Sequence, residues 1–443
     1  MFENKKIFIL GMARSGYEVA KLLSKNNNQI LITDMKEQEA DQVEELKGLG
    51  VNYIVTNDPE ELLDDSYDYV VKNPGIVMTH KCVVKALQLG IKVINEVEVA
   101  YHFLPKDIKI VGITGSNGKT TTTTIAYEIL KAAGIPVHIG GNIGIPLSKL
   151  VEIIKSKDVL VIEVSDHQLC NIVDFKTNIS VLTNLSEVHL DFHGTYENYK
   201  NIKKRIFNRH TNNDIAILNY ENNDVMEISK DTLSHKLYFS SKQKKDVYIE
   251  NNFIMFKDEK IISLSDIRIK GIHNYENIMC AILIAKQFNV ENEVIKGVLE
   301  DFAGVEHRIE FVDKINGREF YNDSKATNIE STIIALKSFD KPTILLLGGL
   351  DRGHSFDGLE PYMGNVTNII CYGETKNRIK EWADKINVDC VVVELLEDAV
   401  KAAYNLSDEN SVILLSPACA SWDQYKSFEI RGDEFKRIVG ELK

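Results

Sequence analysis

A glycine-rich turn that carries a lysine and several threonines is the strongest chemical signal in the sequence. The segment TGSNGKTT (114–121) follows the apolar run IKIVGI and opens a predicted helix. Backbone N–H groups at such a turn, together with the positive end of the helix dipole, bind phosphate groups. Lys119 can reach the β- and γ-phosphates of a nucleotide, and the Thr120 hydroxyl can ligate Mg²⁺. Ile113 breaks the strict GxxxxGK[ST] spacing, but the strand–turn–helix context still predicts a nucleotide site.

Three further groups of polar residues in this part of the chain are candidate ligands. Glu163 ends the run VLVIEV, where a carboxylate could hold Mg²⁺ directly or through water, or simply face solvent. His189 and His193 flank Asp191 after the run ISVLTNL. That spacing is compatible with a metal cluster and with histidines that only form hydrogen bonds. Lys203 begins a run of three basic residues, whose pattern alone indicates a solvated helix face.

The first hundred residues contain a weaker signal. The segment GMARSG (11–16) follows the first apolar run and Asp34 ends the second, as in a dinucleotide-binding turn with its acidic ribose ligand. Ala13 replaces the middle glycine of that pattern, so an ordinary tight turn is an equal alternative. Asn73 and Gly75 lie in a turn after the run YDYVV, and ligands of open α/β sheets bind at such strand ends.

Polar loops also follow several apolar runs in the last third of the chain. Loops of this kind, gathered at one edge of a sheet, form the binding sites of α/β domains. Cys419 has no base nearby in the sequence, which predicts a packing role. Residues 322–327 also have the composition of a capped helix start. The loops are EHR (306–308), NDSKATN (322–328), GGLDRG (348–353) and SPACASWDQ (416–424).

The elements that must position these residues follow from the hydrophobic pattern. Short runs rich in Val and Ile alternate with amphipathic stretches, which predicts α/β domains with mostly parallel sheets. Two stretches, 246–265 and 308–321, instead predict β-hairpins, the second with an Asn316-Gly317 turn. The expected domains are 1–97, 98–304 and 305–443.

Composition narrows the class of protein. A chain of 443 residues, 44% of them hydrophobic, is long enough for about two to four domains with sizeable cores. A net charge of −13 argues against nucleic-acid backbones as partners. The six cysteines form no CxxC pair, and no apolar stretch approaches the roughly 20 residues of a membrane span. The first residues predict a strand rather than a signal peptide, so we expect a cytoplasmic protein without membrane or nucleic-acid partners.

Taken together and in order, these motifs resemble the Mur ligases, the ATP-dependent amide ligases of peptidoglycan precursor synthesis. TGSNGKTT is shared with the wider superfamily, which includes the folylpolyglutamate synthetases, whereas NDSKATN and the last motif are typical of the members that add D-glutamate. The resemblance covers essentially the whole chain. The motifs are TGSNGKTT (114–121), GIHNYENIMCA (271–281), EHRIE (306–310), YNDSKATN (321–328), GGLDRG (348–353) and SPACASWDQYKSFEIRGDEF (416–435).

The resemblance implies a fold and a reaction. The fold is a Rossmann-like UDP-binding domain, a central P-loop ATPase domain with a mostly parallel sheet, and a C-terminal Rossmann-like domain that binds the amino acid. The substrates are UDP-N-acetylmuramoyl-L-alanine (UDP-MurNAc-L-Ala) and D-glutamate. ATP phosphorylates the carboxylate of the first, and the amine of the second then displaces phosphate. Two Mg²⁺ ions, a carbamylated Lys203 and a monomeric enzyme are also implied.

By position in the motifs, the resemblance further implies roles for single residues. The implied catalytic residues are Lys119, Glu163, His189, Lys203 and Lys325. The implied ATP-binding residues are Gly115, Ser116, Asn117, Gly118, Lys119, Thr120, Thr121, Asn274, Asn277, Arg308 and Asp323. The implied metal ligands are Thr120, Glu163, His189 and Lys203. The implied contacts of UDP-MurNAc-L-Ala are Arg14, Ser15, Asp34, Asn73, Gly75, Asn142 and His189. The implied D-glutamate pocket consists of Thr327, Arg352, Ser421 and Phe428.

One segment departs from the family pattern, and alternatives to the leading function exist. After Glu163 the family often reads Ser-Ser-Phe-Gln-Leu, but here Asp166 and His167 add ionisable groups near the expected muramoyl site. The alternatives are a superfamily ligase for another amino acid or for folate, a P-loop GTPase or kinase, and an inactive UDP-sugar-binding protein. The GTPase alternative lacks an NKxD-type guanine motif, and it leaves the third domain unexplained.

Overall fold

The computed structural model describes residues 1–443, except for the side chains of Asp191 and Glu330. The chain forms two compact units, Met1–Phe302 and Ala303–Lys443. The described backbone contains three sheets, two in the first unit and one in the second, and most of their strands are parallel. The predicted α/β class is therefore confirmed. Helices cover both faces of these sheets, which is why the strand sequences are apolar almost throughout.

A parallel sheet forms the N-terminal part of the first unit. Alternate residues of its first strand belong to two different apolar cores, with Ile7 and Ile9 in one and Phe8 and Leu10 in the other. Its elements are β1 (Lys6–Leu10), α1 (Arg14–Ser24), β2 (Gln29–Asp34), α2 (Ala40–Gly48), β3 (Asn52–Val55), a 3₁₀ turn (Pro59–Leu62), β4 (Tyr69–Lys72), α3 (Lys81–Gln88), β5 (Lys92–Ile94) and α4 (Glu96–Tyr101). The strand order is β3-β2-β1-β4-β5, so the carboxyl ends of β1, β2 and β4 are neighbours.

A larger sheet forms the rest of the first unit. Its elements are β6 (Lys109–Thr114), α5 (Lys119–Ala132), β7 (Val137–Gly141), α6 (Leu147–Leu150), β8 (Val159–Glu163), α7 (Asp166–Leu169), β9 (Ile179–Leu182), α8 (Leu190–His193), α9 (Tyr196–Lys204), a 3₁₀ turn (Arg205–Phe207), β10 (Ile215–Asn219), α10 (Asn223–Ile228), β11 (His235–Ser240), β12 (Val247–Glu250), β13 (Phe253–Phe256), β14 (Glu259–Ser263), α11 (Ile272–Gln287) and α12 (Asn292–Asp301). The order is β14-β13-β12-β11-β10-β9-β6-β8-β7. The pairs β12–β13 and β13–β14 are antiparallel, which confirms the hairpin predicted at 246–265.

The second unit contains the third sheet. Its elements are β15 (Glu310–Ile315), β16 (Arg318–Asn322), α13 (Ile329–Leu336), β17 (Thr343–Gly348), a 3₁₀ turn (Asp357–Tyr362), β18 (Val366–Tyr372), α14 (Lys376–Lys385), β19 (Asp389–Val392), α15 (Leu396–Leu406), β20 (Val412–Leu415) and α16 (Phe428–Gly440). The order is β15-β16-β20-β17-β18-β19. The β15–β16 hairpin turns at Asn316 and Gly317, as predicted. The cap of α13 is Asn328, whose Oδ1 accepts from Ser331 N, so residues 322–327 form a loop instead of the helix start considered above.

Two predictions about the whole chain can be compared with the structure. Within the described residues, no helix is long and apolar enough to cross a membrane. All six cysteines are free thiols. Cys419 is fully buried in an apolar core of the second unit, which agrees with the predicted packing role.

Candidate active site

The predicted phosphate loop connects β6, at the centre of the larger sheet, with α5. Two of its glycines adopt positive φ angles, +148° at Gly115 and +81° at Gly118. A Cβ atom on Gly115 would lie 2.0 Å from Thr183 Oγ1, and one on Gly118 would lie 2.1 Å from Asn277 Oδ1. Glycine is therefore required at both positions for conformation and for space. The result is a bare backbone turn at a helix N-terminus, the geometry that binds phosphate groups.

The end of the neighbouring strand β9 fixes this loop. Ser116 N donates to Asn184 O, and Asn117 N donates to Asn184 Oδ1, both at 2.9 Å. Thr183 Oγ1 in turn donates to Asn117 O at 2.6 Å. Sequence reasoning missed Thr183 and Asn184. The available signal was their position directly after the buried run ISVL, beside the central strand.

Lys119 places its ammonium on the loop itself. Its Nζ atom donates to Gly115 O at 3.0 Å and to Ser116 O at 2.9 Å. A positive charge held there attracts the anionic groups that the loop amides bind. The loop therefore provides both parts of a nucleotide-phosphate site, amides and a cation, as its sequence predicts.

A buried group of oxygen atoms lies at the start of α5. Thr120 Oγ1 donates to Glu163 Oε2 at 2.7 Å, and Asn142 Nδ2 donates to Glu163 Oε1 at 2.7 Å. Glu163 is only 2% exposed, so the alternative of a solvated carboxylate is wrong. It is buried because β8 pairs directly with β6, which places Glu163 opposite Ile113. Carboxylate, hydroxyl and amide oxygens are the donor set that Mg²⁺ prefers, so these residues fit that ion.

Lys203 lies on the same edge of the sheet and is fully buried. Its Nζ donates to Thr114 Oγ1 and to Gly115 O, each at 3.0 Å, and lies 3.5 Å from Asp166 Oδ1. The prediction of a solvated basic face is therefore wrong at this residue, because α9 turns Lys203 towards the phosphate loop. Burial, and then the nearby charge of Lys119, lower the pKa of Lys203 to about 7, although Asp166 opposes the shift.

Three histidines surround the carboxylate of Asp166. Its Oδ2 atom lies 2.7 Å from His193 Nε2, 3.0 Å from His189 Nδ1 and 3.3 Å from His167 Nδ1. Burial alone would raise the pKa of Asp166, but the hydrogen bond from His189 and the charge of Lys203 hold it well below its usual range. His189 has a left-handed backbone, with φ of +55°, at the start of α8. The side chain of Asp191, the third member of the predicted cluster, lies outside the described residues.

α11 contributes Asn277 and Asn274 to this region. Asn277 is buried, and its Oδ1 accepts from Thr122 Oγ1 at 3.3 Å, next to Gly118. Asn274 lies one turn earlier, and its Nδ2 donates to Lys270 O. The structure thus places Asn277 at the phosphate loop, while the described contact of Asn274 is within its own helix start.

Five of the seven predicted UDP-muramoyl residues lie around the carboxyl ends of β1, β2 and β4, whereas Asn142 and His189 lie at the larger sheet, beside Glu163 and Asp166. Asp34 Oδ2 accepts from Met12 N at 2.8 Å and so holds the loop between β1 and α1, and Ser15 is the second residue of α1. Arg14 Nη1 reaches Gly144 O at 2.8 Å, between the two sheets of the first unit. A cleft of about 490 Å³ opens here, lined by Met12, Ala13, Arg14, Gly144, Ile145 and Lys149 among others. That volume is within the usual range for a ligand site.

Lys72 is a residue of this region that sequence reasoning missed. It is 1% exposed, and its Nζ donates to Ile76 O at 2.8 Å and to Pro74 O at 3.3 Å. Burial lowers its pKa to about 8. Lys72 therefore holds the turn that contains Asn73 and Gly75, whose own bonds are Asn73 N to Leu10 O and Gly75 N to Asn73 Oδ1. A lysine at the end of an apolar strand was the available signal.

In the second unit, Asp323 is the centre of a buried polar network after β16. Its Oδ2 accepts from Ser416 Oγ at 2.7 Å, and its Oδ1 accepts from Ile309 N at 3.2 Å. Burial raises the pKa of Asp323 to about 7, opposed by the Ser416 hydrogen bond and by the charges of Arg308 and Arg431. The polar ends of β16 and β20 meet because these strands pair directly.

Arg431 was not singled out from the sequence, although it lies in a motif that carries the resemblance. It is fully buried. Its Nε donates to Ser324 Oγ at 2.9 Å, and its Nη2 donates to Ser324 O at 2.8 Å and to Cys419 O at 3.0 Å. Arg431 therefore ties the loop after β16 to the loop after β20.

The remaining predicted residues of the second unit lie on these two loops and around them. Lys325 Nζ lies 5.8 Å from the ring centre of Phe428, the first residue of α16. Thr327 N donates to Lys325 O at 2.9 Å. Arg352 is exposed, with its guanidinium 4.8 Å from the Trp422 ring centre. Ser421 is 1% exposed, and among the described residues its Oγ has no hydrogen-bond partner.

Comparison with known proteins gives a consistent family. Three protein-family models match the chain: the Mur ligase MurD-like N-terminal domain at residues 5–95, the Mur ligase middle domain at 113–285 and the Mur ligase glutamate ligase domain at 307–419. A protein of Geobacillus sp. (strain WCH70) is 43% identical over 100% of this chain and 99% of its own length. A protein of Bacillus cereus (strain G9842) is 44% identical over 100% and 98%. Both are named UDP-N-acetylmuramoylalanine–D-glutamate ligase.

Solved structures of similar fold are more distant in sequence. The UDP-N-acetylmuramate-alanine ligase of Thermotoga maritima has a TM-score of 0.60 at 17% identity, covering 99% of this chain and 100% of its own. A pseudomurein peptide ligase of Methanothermus fervidus has a TM-score of 0.56 at 17% identity, covering 99% and 100%. At 17% sequence identity, these similarities show that the fold is shared and nothing further.

Proposed function

The chain belongs to the Mur ligase family, and we propose that it joins D-glutamate to UDP-MurNAc-L-Ala in an ATP-dependent reaction of peptidoglycan precursor synthesis. The observation that carries the proposal is the phosphate loop, with Lys119 on its carbonyls and Thr120 bonded to Glu163. The names of the relatives that are 43% and 44% identical along the whole chain support the choice of amino acid and acceptor.

The reaction brings together two anions, a carboxylate and ATP, and therefore requires positive charge at the place where they meet. A carboxylate is a poor acyl donor, so the L-alanyl carboxylate is activated by transfer of the γ-phosphoryl group of ATP to give an acyl phosphate. The amine of D-glutamate then attacks the acyl carbon, and phosphate leaves. Positioning and electrostatic stabilisation account for most of the catalysis in phosphoryl transfer. Lys119 and the loop amides lower the repulsion between the carboxylate and the nucleotide phosphates.

The proposed first magnesium site consists of Thr120 and Glu163, with Thr121 beside them. A bound Mg²⁺ would neutralise the phosphate charge there. Asn142 orients Glu163 through its 2.7 Å hydrogen bond. The remaining proposed ATP contacts are Gly115, Ser116, Asn117, Gly118, Asn274, Asn277, Arg308 and Asp323. Lys325 is proposed as a catalytic residue near the phosphates.

The second proposed magnesium site includes His189 and a carbamylated Lys203. Carbamylation needs an uncharged amine, and the pKa of Lys203, lowered by burial to about 7, supports it. The modification would turn the buried cation into an anionic oxygen ligand. Incubation with ¹³C-bicarbonate should give a carbamate ¹³C signal in the wild-type protein that is absent from Lys203→Ala. A spectrum without that signal would contradict this part of the proposal.

Two separate groups of residues form the proposed substrate sites. Arg14, Ser15 and Asp34 would contact the UDP-muramoyl group, together with Asn73, Gly75, Asn142 and His189. The D-glutamate pocket would consist of Thr327, Arg352, Ser421 and Phe428. A guanidinium at Arg352 suits a carboxylate. The buried Ser421 hydroxyl, without a partner among the described residues, supports a hydrogen bond to ligand.

The domain boundaries proposed are 1–97, 98–304 and 305–443. The extents of the three sheets support them, as does the division of the chain between Phe302 and Ala303. We further propose a cytoplasmic monomer without nucleic-acid partners. Light scattering at a mass near 50.1 kDa would support the monomer, and twice that mass would contradict it.

One assay tests the function. Phosphate release from ATP and Mg²⁺ is measured with UDP-MurNAc-L-Ala and, in parallel, with D-glutamate, L-glutamate, L-lysine or no amino acid. Release that requires D-glutamate supports the proposal. Release with another amino acid would assign the chain to a different acceptor. Absence of release from a folded protein that binds UDP-MurNAc-L-Ala would favour an inactive binding protein.

A further inference from the structure

We propose that Asp166, His167 and His189 form a binding site for a first-row transition-metal ion of the Zn²⁺ type, and that His193 supports the site through its contact with Asp166. The inference deepens the proposed function, because His189 also belongs to the second magnesium site proposed above. Asp166 and His167 are additional ligands, and while Lys203 is unmodified the site would select a softer ion in place of the second Mg²⁺.

The positions of the donor atoms suit one small ion. The three imidazole nitrogens lie 2.7, 3.0 and 3.3 Å from a single carboxylate oxygen, Asp166 Oδ2. The donor atoms of Asp166, His167 and His189 all lie within 4.8 Å of one another. Ligands about 2.1 Å from an ion at the centre of a tetrahedron are about 3.4 Å apart. The spacing of Asp166, His167 and His189 is therefore compatible with three protein ligands of one ion, with water in the fourth position.

The donor chemistry selects the class of metal. Two imidazole nitrogens and one carboxylate suit Zn²⁺, Co²⁺ and similar ions, whereas Mg²⁺ prefers a set of oxygen atoms. The oxygen set of Thr120, Glu163 and Asn142 is a separate group at the start of α5. The chain thus contains one donor set of each kind at the same edge of the larger sheet.

Burial and support also fit a metal site. The side chains of Asp166 and His193 are 2% and 3% exposed, whereas those of His167 and His189 are 25% and 49% exposed. Asp166 is therefore held inside the protein with His193 bonded to it, whereas His167 and His189 leave a path for an ion to enter. In the unmodified chain, Lys203 Nζ lies 3.5 Å from Asp166 Oδ1, the oxygen that does not contact the histidines, and so orients the carboxylate.

The test uses the full-length protein after removal of metals with a chelator. Co²⁺ is titrated and followed by its visible absorption, which is intense when the ion is four-coordinate. Zn²⁺ affinity is measured by competition with a chromophoric chelator in excess Mg²⁺. We expect one Co²⁺ per chain and at least about 100-fold weaker Zn²⁺ binding in Asp166→Ser and in His167→Phe. Thermal unfolding shows that each variant is folded, and the two variants test the site independently.

A second cluster in the chain provides a matched control. Glu98, His102 and Asp174 form another group with metal-ligand spacing. His102→Phe should leave Co²⁺ and Zn²⁺ binding unchanged. Loss of binding in His102→Phe, or equal affinity in the wild type, Asp166→Ser and His167→Phe, would overturn the proposal. D-glutamate-dependent phosphate release in Mg²⁺ is assayed separately, so failure of the metal site and failure of the proposed function give different results.

Discussion

Thr120 donates a 2.7 Å hydrogen bond to Glu163, although the two residues are 43 positions apart and belong to different elements. Thr120 lies in the first turn of α5, and Glu163 ends β8, which pairs with β6. Strand pairing therefore attaches an acidic residue to the end of the phosphate loop. This contact links the two parts of the proposed ATP and magnesium site.

Replacing Glu163 by Gln should reduce D-glutamate-dependent phosphate release by at least about 100-fold. The amide keeps the shape of the side chain but removes the charge that would hold Mg²⁺. Activity is measured over a series of Mg²⁺ concentrations, and the Mg²⁺ requirement should rise. The control is Asp158→Asn, which changes a buried carboxylate just before the start of the same strand, where it contacts His138. Equal activity in Glu163→Gln and Asp158→Asn would contradict the assignment.

Replacing Lys203 by Ala should reduce turnover by at least about 100-fold. Binding of UDP-MurNAc-L-Ala should be unchanged. The reason is that Lys203 contacts the phosphate loop and not the cleft beside Arg14. Turnover and calorimetric binding are measured on the same preparation. Lys204→Ala, at the next residue of α9, should behave as the wild type. Unchanged turnover in Lys203→Ala would remove this lysine from the mechanism.

Substituting Gly118 by Ala should strongly lower the affinity for ATP and only modestly lower the free energy of unfolding. The new Cβ would lie 2.1 Å from Asn277 Oδ1, so the loop or α11 must move. Gly134 provides the comparison, because its φ of +73° is similar to the +81° of Gly118 but a Cβ there meets open space. Both variants should lose about 1–2 kcal/mol of stability from left-handed strain. ATP affinity that falls equally in both would show that strain, and not the clash, is responsible.

Asp323 should make stability depend on pH in a defined direction. The folded chain keeps the Asp323 proton up to a pH of about 7, whereas the ordinary pKa is 3.8. Between these values the unfolded chain binds fewer protons, so the free energy of unfolding falls as the pH rises, by up to about 1.4 kcal/mol per pH unit. Urea unfolding from pH 4 to 8 should therefore show the wild type losing stability relative to Asp323→Asn up to about pH 7, and no further change above it.

The opposite slope would identify a different state of this residue. If the wild type gained stability relative to Asp323→Asn as the pH rose, the carboxylate would be stabilised as an anion in the folded chain. The charges of Arg308 and Arg431 would then outweigh the effect of burial. Ser407→Ala, at a buried hydroxyl elsewhere in the second unit, should show no such pH dependence relative to the wild type.

Local sequence was sufficient for the fold class, both hairpins and the phosphate loop, because each depends on neighbouring residues. Alternating apolar runs predict parallel strands, Asn-Gly predicts the turn after β15, and the glycines of TGSNGKTT predict a bare backbone turn before α5. The motifs in order also identified the family. Sequence reasoning placed Glu163 at the end of an apolar run but left its burial undecided.

Only the tertiary structure decided which polar residues meet. Lys203 has the local pattern of a solvated lysine, yet the packing of α9 buries it against Thr114 and Gly115. The convergence of three histidines on Asp166, and the support of the loop by Thr183 and Asn184, join segments separated in the sequence. The pattern of residue types along the sequence shows the periodicity of each strand or helix. Burial and the resulting pKa shifts depend on which strands pair and which helix face turns inward, and these are properties of the folded chain.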